Sequence, residues 1–240
     1  MLLYILLLVA LFFGGLDSQT SRVSFADFLE KYVNKSGFVD YPAVKKDSGI
    51  QSLLKYIAQI DANVLSENER LAFYINSYNI LVIKNICDHW PVNSPMDVPG
   101  FFTDFRFQVA GEQLSLDEIA YNKIFPLEDV LVHFGLICAA VSCPQLNNYP
   151  FIARTLQDQL YNNARRFMQD VNKNRLDKST NVLYLSEIFK WFRPNFEKRF
   201  DSLLKAAQNF LSPEDSAFIA NHNISVSFIA YDWTLNYQNK

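Results

Sequence analysis

The stretch SENERLAFYINSYNILVIKNIC, residues 66–87, decides the architecture. It opens on Ser66 with Glu69 three positions later. That spacing is a capping box, in which the serine oxygen takes an amide proton of the first turn and the glutamate reaches back to the serine amide. No Gly or Pro interrupts the run from Glu69 to Cys87. Apolar residues occupy most faces of the resulting helix, and such a helix must lie at the centre of a fold.

Shorter elements flank this helix. Residues 24–33 predict a helix behind a capping serine, Ser24, and residues 52–60 a second short one. After the Pro-rich loop PVNSPMDVPG at 91–100, residues 105–109 alternate, turn at 110–112 and resume at 113–116 as a β-hairpin. Ser115 and Glu118 form another capping box, opening a helix over 115–124. Residues 132–140 form a small-residue apolar run, read as a buried strand, with a helix left open by its length. An amphipathic helix is expected over 153–171, with Arg165 and Arg166 on its polar side. Beyond it come a strand at 181–185, a short helix at 186–192, helices at 202–211 and 213–221, and an alternating strand at 224–233. Strands and helices intermix without a βαβ rhythm. The expectation is an α+β single domain, with the central apolar helix packed on a small mixed sheet and several helices around it.

Half of the 240 residues are hydrophobic, with 21 Phe and 12 Tyr, which excludes a disordered chain. A formal net charge of -3 gives no surplus of cations to neutralise a phosphate backbone, so nucleic acid is not an expected partner. No internal repeat or Pro/Gly/Ser linker divides the chain. The apolar run at residues 2–13, with Gly14, Gly15 and Ser18 behind it, predicts a signal peptide over 1–18 and an exported domain over 19–240. A short buried or anchoring helix is the competing reading of that run. No later run is long enough to span a membrane, so no stable span is expected once the leader is removed. Sequons at Asn34 and Asn223 fit glycosylation in an exported protein.

The residues that could carry chemistry gather near Val-Ser-Cys-Pro, 141–144. Cys143 at the end of a strand, with Pro144 suited to the first turn of a helix, would feel the positive end of a helix dipole. That lowers a thiol pKa and favours a nucleophile. A small buried cysteine at a tight corner is the structural alternative. A disulfide to Cys138 is a third reading, although five residues of extended chain span roughly 16 Å and the chain must turn to close it. The third cysteine, Cys87, makes the count odd, leaving at least one thiol free or intermolecular. A base is sought among His89, His133 and His222. His133 lies ten residues before Cys143, roughly 33 Å along an extended strand, so the two meet only if the segment bends. His89 follows the long helix and could return through tertiary folding. Asn76 and Asn79 share a face of the central helix and could orient a histidine or donate to an oxyanion. They could equally tie the helix to a neighbouring loop. Glu118 is read first as a capping-box acid and second as a functional carboxylate. Lys190, Trp191 and Arg193 read as a helix packed by its rings with its charges solvated. No metal-ligand spacing and no cofactor motif is present.

Five blocks occur in order: LAFYINSYN, FRFQVAGEQLSLDEIA, HFGLICAAVSCPQL, LSEIFKWF and IAYDWTLN. Together they resemble the domain-of-unknown-function family 547, over residues 67–236. The resemblance matches the family pattern at Asn76, Tyr78, Asn79, His133, Cys138, Cys143 and Pro144. Many members carry a histidine directly after the glutamate that corresponds to Glu118, where this chain has Ile119. Fusions of animal members to glutaredoxin-like domains imply a thiol-redox role for Cys138 and Cys143. A remote similarity to papain-like and transglutaminase-like cysteine enzymes is a fold-level analogy. Three functions are expected on these grounds. The first is a cysteine-dependent hydrolase or acyltransferase on an amide or acyl bond, with Cys143 as nucleophile, His133 or His89 as base, and Asn76 or Asn79 in support. The second is a non-catalytic extracellular module that binds a small-molecule or peptide ligand. The third is a thiol-redox protein.

Overall fold

The computed structural model of the chain describes residues 18–128 and 130–238, with side chains from Phe25 onward. The expected leader, apart from Ser18, lies outside the described residues. Three helices open the fold: α1 (Ser18–Tyr32), α2 (Tyr41–Lys46) and α3 (Gly49–Gln59). The central helix is α4 (Glu67–His89), and its capping box is formed, with the Ser66 amide donating to Glu69 Oε2 at 3.1 Å. From Leu71 to Cys87 it is buried on nearly every face. Its main neighbours are α2, a helix at Leu116–Ile119 (α5), the turn immediately after α5, and a 3-10 turn at Ala153–Thr155.

The hairpin forms as β1 (Phe107–Val109) and β2 (Glu112–Leu114), with Val109 opposite Glu112. Its two turn residues, Ala110 and Gly111, both have positive φ, 49° and 81°. That is the mirror-image turn whose twist matches a hairpin. The turn docks on α3 through Ala110 N–H to Ile57 O at 2.8 Å and Gly111 N–H to Ala58 O at 2.9 Å. The helix expected over 115–124 is divided. Its capped start is α5, and Ala120–Ile124 then widens into a π-helical turn.

Residues 132–140 are not the expected strand. Leu131–Phe134 is a 3-10 turn, and the chain then runs irregularly to a single bridge, Ala140 with Leu235. The cause is a set of buried asparagines that take the place of a ladder. Asn79 accepts from Ile137 N–H at 3.0 Å and donates to Gly135 O at 2.9 Å. Asn163 donates to Phe134 O at 3.1 Å. Backbone groups satisfied in this way need no neighbouring strand.

The next helix, α6 (Leu156–Gln169), turns Leu160, Ala164 and Phe167 inward. Arg166 is not on its solvent side as expected. It is half-buried and donates to Asn147 Oδ1 at 2.6 Å and Asn163 Oδ1 at 2.9 Å. A mixed sheet comes next, built from β3 (Arg175–Asp177), β4 (Val182–Ser186) and β5 (Ser225–Ile229). The pair β3–β4 is antiparallel and the pair β4–β5 parallel. A parallel pair needs a long crossover. Here it is made by α7 (Glu187–Trp191), α8 (Arg193–Phe200), α9 (Leu203–Gln208) and α10 (Pro213–Asn221). The described residues therefore form an α+β fold. One contiguous apolar core runs from Phe25 to Leu235. No helix among them is long and apolar enough to cross a membrane.

After β5 the chain leaves the sheet and lies along the cysteine segment. Val141 N–H donates to Thr234 O at 2.8 Å, and Asn236 N–H to Ala139 O at 2.9 Å. This tail carries Tyr231, whose hydroxyl lies against both cysteine sulfurs, and Trp233, which packs on Tyr231.

Candidate functional site

Cys138 and Cys143 are joined by a disulfide, with their Cα atoms 6.1 Å apart. The extended run that would have kept them apart is broken between them. Ala139 takes the left-handed conformation with φ 61°, and Cys143 N–H donates to Ala140 O at 3.1 Å. A non-glycine residue in that region is uncommon and costs free energy, so the surroundings must hold it. Ala139 is fully buried, and its carbonyl is fixed by Asn236 of the tail.

Exposure and hydrogen bonding differ between the two sulfurs. Cys138 is half-buried and Cys143 buried. The Cys138 N–H points at Cys143 Sγ, at 2.8 Å. The Tyr231 hydroxyl lies 3.1 Å from Cys138 Sγ and 3.3 Å from Cys143 Sγ. A disulfide sulfur carries no hydrogen, so the phenol is the donor in both contacts. Burial, and then the charge of Tyr78, push the Tyr231 phenol well above its ordinary pKa. It stays a neutral donor across the physiological range.

These sulfurs form part of the wall of a cleft of about 190 Å³. His133 lines it too, so the bend that sequence distance required is present. The His133 ring is buried and stacked on Phe192, with centroids 3.8 Å apart, and tilted against Phe125. Trp191, Tyr231 and Trp233 pack together at the opening, with Trp191 43 % exposed. Asp117, in the first turn of α5, is half-buried on the same wall. Loss of solvent raises its carboxyl pKa, and its charge helps burial to raise the Tyr78 phenol.

The other sequence candidates lie elsewhere. Asn76 and Asn79 act on backbone: Asn76 exchanges two hydrogen bonds with Phe151, at 2.8 and 2.9 Å, and Asn79 holds Gly135 and Ile137. Through Ile137, Asn79 fixes the chain one residue before Cys138. Glu118 caps α5, accepting from the Ser115 amide at 2.9 Å, and pairs with Arg106. These contacts hold its carboxyl below the ordinary range. His89 ends α4 with Nδ1 2.8 Å from Asn85 O and its ring against Phe105, and it does not line the cleft. His222 stacks on Phe218 at the surface. Cys87 is a buried free thiol under α2, pushed up to about 12 by desolvation. Among the described residues no group of three or more His, Cys, Asp or Glu could hold a metal ion.

Asp117, Tyr231 and Trp233 were not read as site residues from the sequence. Asp117 sits beside Glu118 in LSLDEIA, where the capping pattern drew the reading to its neighbour. Tyr231 and Trp233 are alternate residues of the tail, the spacing that puts two side chains on one face of an extended chain.

Residues 62–168 match the family model described as protein of unknown function, DUF547. Over that segment the chain is similar to this family. No curated protein and no solved structure matches the chain. The matched segment contributes α4, the hairpin, α5, the Cys138–Cys143 pair and nearly all of α6 to the architecture. Trp191, Phe192, Tyr231 and Trp233, which complete the cleft, come from beyond it.

Proposed function

We propose that the chain is a thiol–disulfide redox protein whose working group is the Cys138–Cys143 pair. The observation that supports this reading is the asymmetry of the pair at the wall of an open aromatic cleft. Cys138 is half-buried, whereas Cys143 is buried with the Cys138 amide directed at its sulfur, and the Tyr231 hydroxyl lies beside both sulfurs. Exchange proceeds by attack of a thiolate on one sulfur and departure of the other. A substrate thiolate attacks Cys138 Sγ, the Cys138–Cys143 bond breaks, and its electron pair leaves on Cys143. The Cys138 amide and the Tyr231 phenol stabilise that departing thiolate. A second substrate thiolate then attacks the substrate sulfur of the mixed disulfide and releases Cys138. The substrate dithiol becomes a disulfide, two protons go to solvent, and two electrons reside on the cysteine pair. A small-molecule disulfide restores the oxidised pair.

A disulfide of this kind belongs to an oxidising compartment. That agrees with the leader read over residues 1–18, and we propose an exported protein. Asn223 is exposed and available for a glycan in that setting.

The cysteine hydrolase or acyltransferase remains a second reading because His133 lines the same cleft and the donors on Cys143 would also stabilise a nucleophilic thiolate. It requires Cys143 to be reduced. One experiment separates the two. Cys143→Ser leaves Cys138 as a lone thiol, expected to attack the disulfide of an oxidised peptide and hold it as a mixed disulfide, the other peptide sulfur leaving as a thiolate. Cys138→Ser leaves Cys143 buried, expected to trap little. The redox reading is lost if the wild-type disulfide resists dithiothreitol until the protein unfolds. Acylation of Cys143 by an activated ester in the Cys138→Ser variant, with hydrolysis in the wild-type protein only after reduction, would favour the hydrolase.

A further inference from the structure

Asp117 is the carboxylate of the cleft wall, and among the described residues nothing answers its charge. Among the described residues no Lys or Arg lines the cleft. Among the described residues no ion pair and no side-chain hydrogen bond is made by Asp117. It stands next to Glu118, whose carboxylate is held by Arg106 and the Ser115 amide. A partly desolvated charge without a partner is unfavourable in the free protein. What surrounds it is a set of aromatic rings, including Phe102, Tyr121, Trp191 and Trp233. Tyr121 and Trp191 are exposed, 58 % and 43 %, and so reachable from solvent. Ring faces carry negative potential and attract a cation, most strongly when water is excluded. A carboxylate together with ring faces favours positive charge.

We infer that the cleft takes the cationic side chain of a Lys or Arg in a peptide whose neighbouring cysteine exchanges with Cys138. Asp117 meets the charge, the rings take the methylene stem, and the sulfur pair lies on the same wall. At about 190 Å³ the cleft suits one side chain rather than a folded domain. This inference rests on the redox reading for the exchange step, but the recognition it describes can be measured without exchange.

Two short peptides serve as probes, one with Lys and one with norleucine beside a single cysteine. Each is also made with Ser in place of that cysteine. The lysine peptide is expected to open the wild-type disulfide about tenfold faster than the norleucine peptide, the factor for about 1.4 kcal/mol of selective binding. Asp117→Asn is expected to erase the ratio. Glu30→Gln, which removes an equal charge from the exposed side of α1, is expected to leave it unchanged. The serine peptides, monitored by quenching of tryptophan fluorescence, are expected to show the same preference with no sulfur chemistry. Equal rates and equal affinities for the two peptides overturn the inference, as does a preference that survives Asp117→Asn or disappears in Glu30→Gln. If neither cysteine peptide exchanges while the serine peptides still discriminate through Asp117, the redox reading fails and the cation site stands.

Discussion

At the scale of single residues, Asp117 carries a cost that its neighbour Glu118 does not. Burial raises the Asp117 carboxyl pKa in the folded chain, whereas hydrogen bonds lower that of Glu118. The sign for Asp117 comes from linkage. In the window between its ordinary and its raised pKa, the folded state binds the proton and the unfolded state does not. Stability therefore falls as pH rises through that window, and the whole penalty is present above it. Well below the ordinary carboxylate range both states are protonated and the penalty is gone. A carboxylate in a first helical turn gains something from the backbone dipole, but the direction of the shift says desolvation prevails. Asp117→Asn is thus expected to melt higher than wild type at neutral pH, with the difference shrinking on acidification. Thermal melts of both proteins across pH check it. A variant that melts lower at every pH would show that the carboxylate is structural.

At the scale of elements, what was legible depended on whether the determinants were local. The central helix could be read because its capping box and its uninterrupted apolar faces lie within one stretch. The hairpin was equally local, its register set by Ala110 and Gly111. Residues 132–140 could not be read in this way. Their backbone is satisfied by Asn79 and Asn163, far away in the chain, so an apolar run that looks like a strand needs no ladder. The cysteine pairing was open for a related reason, since it depends on the left-handed turn at Ala139 and on a tail carrying Tyr231, 88 residues beyond Cys143. The short elements α2 and β3 lacked the length that makes a period visible. Two glycines separate local from tertiary determinants in a testable way. Gly111 and Gly37 share φ 81°, but a Cβ on Gly111 would meet nothing within 4 Å, whereas one on Gly37 would lie 2.9 Å from the Leu146 backbone nitrogen. Gly111→Ala is expected to cost about 1–2 kcal/mol, the strain of the left-handed backbone alone. Gly37→Ala is expected to cost clearly more, because the chain at Leu146, just beyond the cysteine segment, must move. Urea unfolding of the two variants provides the comparison, and equal costs would mean that the Leu146 contact yields freely.

Over the whole molecule, the cleft is closed by a clasp between parts distant in sequence, and Asn236 is where they meet. Its N–H reaches Ala139 O at 2.9 Å, and its carbonyl accepts from Val39 N–H at 3.0 Å. Its buried side chain accepts from the Tyr41 hydroxyl at 2.5 Å and donates to Gly37 O at 3.4 Å. The segment from Gly37 to Tyr41 at the start of α2, the turn between the cysteines and the tail bearing Tyr231 are thereby held as one unit. The disulfide alone closes a very short loop, for which chain entropy gives only about 2 kcal/mol. The clasp must supply much of the order of the cysteine segment. Asn236→Ala leaves a buried phenol and a carbonyl without partners, at an expected cost of about 2–3 kcal/mol. Its local consequence is more telling than its size. The amides of Val141 and Ser142, bonded to Thr234 O and Asp232 O, are expected to exchange hydrogen faster in this variant, and the native disulfide is expected to be reduced sooner by dithiothreitol. Amides of α4 should slow or quicken only with global stability. If protection at Val141 and Ser142 falls no more than in α4, the tail is held by the sheet and the apolar core rather than by Asn236. The accessibility of Cys138 is then set within its own loop.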